Sequence, residues 1–408
     1  MTSRYIFLFL TTLSIILSTG CSKDDKDMDI PDIPSDTITI GALLSLTGNW
    51  STLGKTSELA MEIALDDINL FMQDIGSGYR FTGKVYDTKL EVDQAVEAIE
   101  AAKSEGIRFL VGPQSSSELA AVKTFADDNA MYVVSQGSTA GSLSIPDDNI
   151  FRFCPDGQLE GEALAQAIYD AGVRGLVTVA RGDVGNTGLK ESIDQAFTDL
   201  GGTIYDMDHY ADNISDFDPV IASLEDHLNT AIGAHGSDAV GVYIAAFDEA
   251  VDLFAAANDH QVLNSVQWFG GDGITRSEAF TDNELASQFA IKTGFFAPEF
   301  GLPSAAASFW EPLQNEIETQ TGIEPGAFAL ATYDALWVIA LTYHASDVEN
   351  QSESITREIF HQNADEFSGV TGSTLLNENG DRTVASFWFW GIEESNGSFS
   401  WVQTGSSE

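Results

Sequence analysis

Basic residues are scarce in this chain. Eighteen Lys and Arg stand against 63 Asp and Glu over 408 residues, a formal net charge of −45. Nucleic-acid phosphates need Lys and Arg to displace their counterions, so nucleic acid is excluded as a partner. The acids are scattered rather than blocked, which makes the charge a surface property suited to saline surroundings. It does not forbid an anionic ligand, because charges beyond about 8–10 Å are screened and the pocket lining decides. Cysteine is scarcer still. Cys21 and Cys154 cannot build a disulfide framework, and no Cys/His spacing suits zinc. No Gly-x-Ser-x-Gly elbow occurs, and none of the six His lies in a motif that pairs with a serine. No metal or cofactor is called for. A run long enough to span a membrane is also missing: the apolar stretch 5–17 falls short of about 20 residues.

That stretch has another use. Arg4 precedes it, and Ser18, Thr19 and Gly20 lead to Cys21. The pattern is that of a secretory signal. It resembles a bacterial lipoprotein signal, with Cys21 as the lipidated first residue and residues 1–20 removed. Residues 21–36 are acidic and proline-bearing and read as a flexible tether. The Ser-Lys-Asp-Asp after the cysteine resembles a lipoprotein surface-export signal. The chain is therefore expected in the cell envelope, on the periplasmic side or the outer surface.

Beyond the tether, 43% hydrophobic residues supply a sizeable core. Short apolar runs alternate with helical patterns, as in 38–44, 79–86, 107–111 and 131–134. Alternation of that kind means a parallel sheet with crossovers. It repeats from 150 to 269, so the fold class is α/β with two lobes of similar architecture. Two turns at strand ends stand out. Ser115, Ser116 and Ser117 begin a helical pattern after Gly112-Pro113, and Gln136-Gly137-Ser138-Thr139 follows the next strand. Ligands bind at the carboxyl ends of strands in such sheets, and N–H groups at helix starts attract anions. These turns fit a small carboxylate; ordinary helix caps would look the same.

The segment ITIGALLSLTGNWSTLGKTSELAMEIALDDIN resembles the opening of the branched-chain amino-acid-binding family of periplasmic binding proteins. Gly112-Pro-Gln-Ser-Ser-Ser, Ser135-Gln-Gly-Ser-Thr, Phe151-Arg152-Phe153, Tyr333-Asp334-Ala335 and Asn379-Gly380-Asp381-Arg382 fall in the family's order over roughly 37–400. The resemblance implies two Rossmann-like lobes of periplasmic binding protein type I, the Venus flytrap form, joined by three crossover strands. Crossings are expected near Pro155, Pro298 and Ser368. That makes lobe 1 residues 37–155 with 298–368, and lobe 2 residues 156–297 with 369–408. It further implies a monomeric solute-binding protein serving an ABC permease, with no catalytic residue.

Ser116, Gly137, Ser138 and Thr139 take the family's carboxylate positions. Asp272, with Gly273 after it, takes the position facing the ligand's ammonium; a solvated acid in a Gly-rich turn is the other reading. Leu53, Trp50 and Phe247 match apolar contacts or serve as packing. Val184-Gly185 occupies a turn where the family often has a tyrosine. Arg152 and Cys154 read as structural, the last as a small buried hydrophobe. Asn377 to Asp381 lacks the closing Glu of a calcium loop and reads as a hairpin turn. A sensor without transport, or a hydrolase using Ser116, would be the alternatives.

Overall fold

The computed structural model describes residues 36–407. The signal segment, Cys21 and nearly all of the tether lie outside the described residues. The first run is β1 (Asp36–Leu44), α1 (Ser51–Asp74), β2 (Tyr79–Asp87), α2 (Val92–Ser104), β3 (Phe109–Val111), α3 (Ser116–Asp128), β4 (Tyr132–Ser135) and β5 (Ile150–Pro155). The second is α4 (Gly157–Asp170), β6 (Gly175–Ala180), α5 (Val184–Asp199), β7 (Thr203–Asp206), α6 (Asp218–His235), β8 (Val240–Ala245), α7 (Ala250–Ala257), β9 (Gln267–Gly270), α8 (Glu278–Asp282), α9 (Glu284–Lys292) and β10 (Phe296–Phe300). The chain then returns through α10 (Ala307–Thr321), α11 (Ala327–Ala345), α12 (Glu353–Glu366), a small ribbon of β11 (Ser368–Gly369) and β12 (Gly372–Ser373), and β13 (Asp381–Arg382). It ends on β14 (Phe387–Ser395) and β15 (Ser398–Ser406).

Each lobe is organised on one sheet. The first runs β13-β5-β4-β3-β1-β2 and is parallel throughout. The second runs β15-β14-β10-β9-β8-β6-β7, parallel except where β14 pairs antiparallel with β10 and β15. Central strands such as β3, β4, β6 and β8 are buried along their whole length, as parallel strands covered on both faces must be. Helix α11 is buried on almost every side, and an apolar surface all round a helix demands such a site.

The crossings differ from expectation at two places. β5 ends at Pro155, but Pro298 lies inside β10, and the chain leaves the second sheet only after Phe300. The last crossing lies well beyond Ser368, between Arg382 and Phe387. Side-chain bonds hold 369–382 to the first lobe. The Asp334 carboxylate accepts from the N–H of Val370 (2.8 Å) and Thr371 (2.9 Å). Arg152 Nε meets Asp381 Oδ1 at 2.5 Å, with both side chains buried. The turn before β13 closes on Asn377, whose Oδ1 accepts from the N–H of Asn379 and Asp381. The final strand expected over 385–392 is β14, and β15, which the sequence pattern did not suggest, completes its hairpin. No described helix is long and apolar enough to cross a membrane.

Candidate ligand cleft between the lobes

The first lobe's contribution starts at α3. Ser115 is its N-cap, and a capping box with Glu118 uses both residues: Ser115 Oγ accepts from Glu118 N, and Glu118 Oε2 accepts from Ser115 N. Ser116, one residue on, is thereby free of capping. Its Oγ accepts from Ser138 Oγ–H at 3.0 Å and from Ala140 N–H at 3.1 Å. A hydroxyl has two acceptor lone pairs and one proton, so Ser116 keeps its O–H to donate. The second turn is fixed from behind. Ser135 Oγ accepts from Ser138 N–H at 3.0 Å, and Arg152 Nη1 donates to Ala140 O at 2.6 Å. Cys154 Sγ donates to Ser138 O at 3.2 Å, and burial pushes its thiol pKa upward. Arg152 and Cys154 therefore shape the turn from the core.

The second lobe faces this with acids. Asp272 begins the turn after β9 and is only 5% exposed, so it is no solvated turn residue. Its Oδ2 is buried and has no hydrogen-bond partner. Burial raises its pKa to about 7, while Thr139, across the cleft, is among the groups that favour its charged form. Its backbone N–H donates to Glu160 Oε1 at 3.2 Å. Glu160 stands in the first turn of α4, almost fully buried. Gly273 packs under Phe247: a side chain there would meet the ring at 2.7 Å.

An aromatic wall closes one end. The Trp50 ring lies 5.0 Å from Phe247 and 6.1 Å from Phe328, with Leu53 buried nearby. Trp50 has a left-handed backbone, φ +58°, which costs a bulky residue about 1–2 kcal/mol. Its N–H is held by Asp248 Oδ2 of the facing lobe at 2.7 Å. Ser277 Oγ donates to the other oxygen of Asp248 at 2.5 Å. At the opposite rim, Val184 N–H donates to Ser117 Oγ at 3.2 Å. Val184 is the first residue of α5, capped by Asp183, and its side chain is exposed. Its backbone, not its side chain, makes the recorded contact across the cleft. Gly185 lies so near Ser116 that a Cβ there would sit 3.3 Å from its Oγ. These contacts describe a closed cleft.

The structure thus brings Ser116, Gly137, Ser138 and Thr139 opposite Asp272 and Gly273, with Trp50, Leu53 and Phe247 alongside. Glu160, Asp248 and Phe328 were not singled out in the sequence. Glu160 and Asp248 look like ordinary solvated acids beside a helix start, and Phe328 looks like core. Among the described residues no group of three or more His, Cys, Asp or Glu could hold a metal ion. Ser116 Oγ has no histidine partner among its described hydrogen bonds.

Two α/β lobes linked by three crossings, with polar groups converging from strand ends, define the fold of the type I periplasmic binding proteins. The family model "Receptor family ligand binding region" matches residues 56–394, and the chain belongs to that family. An uncharacterized protein of Methanocaldococcus jannaschii is 26% identical over 392 residues, covering 92% of each chain. The Leu/Ile/Val-binding protein BraC3 of Rhizobium johnstonii is 24% identical over 353 residues, 86% of this chain and 90% of that one. The crystal structure of a leucine binding protein, LivK of Thermotoga maritima, superposes with a TM-score of 0.74 at 19% identity. It covers 90% of this chain and 98% of that one, a likeness of fold. Its curated relatives include proteins named for binding Leu, Ile and Val.

Proposed function

We propose that the protein captures a small amino acid, or a similar amino compound, between its lobes and delivers it to an ABC permease while a lipid on Cys21 holds it to the membrane. The observation that carries the ligand reading is the buried, unpartnered Oδ2 of Asp272, facing a first-lobe turn whose groups are neutral hydroxyls with the Ser116 proton free to donate. A zwitterion complements that division of labour. Its carboxylate takes the free O–H of Ser116 with the Gly137–Thr139 turn, and its ammonium takes Asp272 and Thr139. The aliphatic part meets Trp50, Leu53, Phe247 and Phe328. Burying both charges is tolerable only because each finds a partner. A ligand touching both lobes favours the closed state, since only that state makes both sets of contacts. The names of relatives that bind Leu, Ile or Val agree with an apolar side chain.

A thermal-shift panel of the common amino acids, short amides, urea and aromatic acids tests this. Ligand at 100 times its Kd stabilises by about 2.7 kcal/mol. An aliphatic amino acid should give the largest shift. Stabilisation by compounds without an amino group, and by no amino acid, would overturn the role of Asp272.

A further inference from the structure

The second lobe offers the cleft two buried carboxyl groups where a zwitterion brings one ammonium. Glu160 is 2% exposed and Asp272 5%. Neither has a Lys, Arg or His partner among the described residues, and they are joined through Asp272 N–H to Glu160 Oε1 at 3.2 Å. Arg152, the cation acting on the neighbouring Cys154 thiol, is already paired with Asp381 and Asp156. The Tyr243 hydroxyl on β8 would lie 3.1 Å from a Cβ at Gly271, and Tyr243 is buried. The Cys154 thiol on β5 and the Tyr243 phenol are both pushed up by burial, so both are neutral near pH 7. Asp194 on α5 acts on Tyr243, and Glu299 on β10 adds only further negative charge toward Asp272. Two adjacent carboxylates without a cation cannot both stay ionised in such a place.

We infer that Glu160 is a neutral carboxylic acid that donates its proton to an Asp272 oxygen, so that the pair presents one negative charge and selects a ligand with a single ammonium. This rests on the ammonium reading of Asp272 given above and adds a positioning residue to it. Glu160 uses Oε1 to accept from the Asp272 backbone and its O–H to hold the Asp272 side chain. The free Oδ2 is then left for the ligand. A proton placed between the two side chains works in the same sense, raising the pKa of Glu160 and lowering that of Asp272. Burial is the largest cause of the upward shift in both groups, and hydrogen bonds from Gly273 N–H and Thr139 favour the charged form of Asp272.

Infrared difference spectroscopy of the ligand-free protein at pH 8, wild type minus Glu160→Gln, with the glutamate carboxyls labelled by carbon-13 so that a glutamic-acid band shifts and an aspartic-acid band does not, decides this. The expected result is a neutral carboxylic-acid C=O stretch in wild type that the variant lacks. Glutamine imitates the neutral acid, so the variant should also melt within a degree or two of wild type at pH 8. No lost band, together with a large rise in melting temperature on removing the charge, would overturn the inference. Titration of L-leucine separates the two readings. Binding by both proteins within about threefold supports a neutral Glu160, since threefold is under 1 kcal/mol. Failure of wild type to bind any amino acid of the panel would overturn the ligand reading and leave the band to decide the state of Glu160.

Discussion

The two sides of the cleft are built on opposite plans. On the first lobe the hydroxyls are already engaged: Ser116 accepts from two donors, Ser138 and Ala140 are held by Ser135 and Arg152, and the ligand is offered one O–H and the turn's backbone. On the second lobe Asp272 has a buried oxygen with nothing bonded to it, beside a second acid. One side presents preorganised hydroxyls; the other stores unfavourable electrostatics that a cation would relieve. Binding energy therefore comes unequally from the two lobes. Contacts on the first side resemble those of a folded core. On the proposed reading those on the second would pull the lobe shut, because relief is available only when the ammonium reaches Asp272.

The comparison breaks most sharply at Arg152. Arg152→Met leaves Asp381 buried without its partner and the 138–140 turn without its prop. A stability loss of about 3–5 kcal/mol in chemical denaturation is expected. On the other side, Asp272→Asn should leave ligand-free stability unchanged or raised while weakening amino-acid binding by about 2–5 kcal/mol in calorimetric titration. A comparable stability loss in both variants would erase the distinction. Ser116→Ala removes one hydrogen bond to a charged carboxylate and should cost binding about 1.5–3 kcal/mol.

The smallest effect is one of pH. The folded, ligand-free protein keeps a proton on Asp272 up to about 7, whereas in the unfolded chain the carboxyl ionises near its ordinary value of 3.8. Ligand-free stability from this group thus declines as pH rises from about 4 to 7. An ammonium needs the ionised form, so below 7 binding must expel that proton. Affinity should fall about tenfold, 1.4 kcal/mol, per unit of pH below that point and level off above it. A flat profile for wild type between pH 5 and 7 would remove Asp272 from the ammonium site.

The two-lobed fold could be read from the alternation of apolar runs and helical stretches, since covered parallel strands and amphipathic crossovers leave that trace in any sequence. The hydroxyl turns were legible for the same reason: they sit where strands must end. Asp272 was visible only through the resemblance, because its burial is a tertiary fact. Glu160 left no local sign, since an acid in the first turn of a helix is what a solvated helix start also shows. Asp183 turned the expected loop at Val184 into a helix by accepting from Asn186 N–H at 2.9 Å. The late crossing at 382 escaped because 369–382 has no periodicity. It is placed by Asp334 and Arg152, each distant in sequence.

Gly185 has a consequence for how the protein divides its time between shapes. A methyl group at that position would press on Ser116 from the facing lobe, and only in the closed form. Gly185→Ala is therefore expected to raise the resting population of open molecules, while also crowding the Ser116 hydroxyl proposed to meet the ligand. Apparent affinity scales with the fraction of molecules competent to bind, so the absence of a side chain at 185 favours sensitivity by leaving closure unopposed.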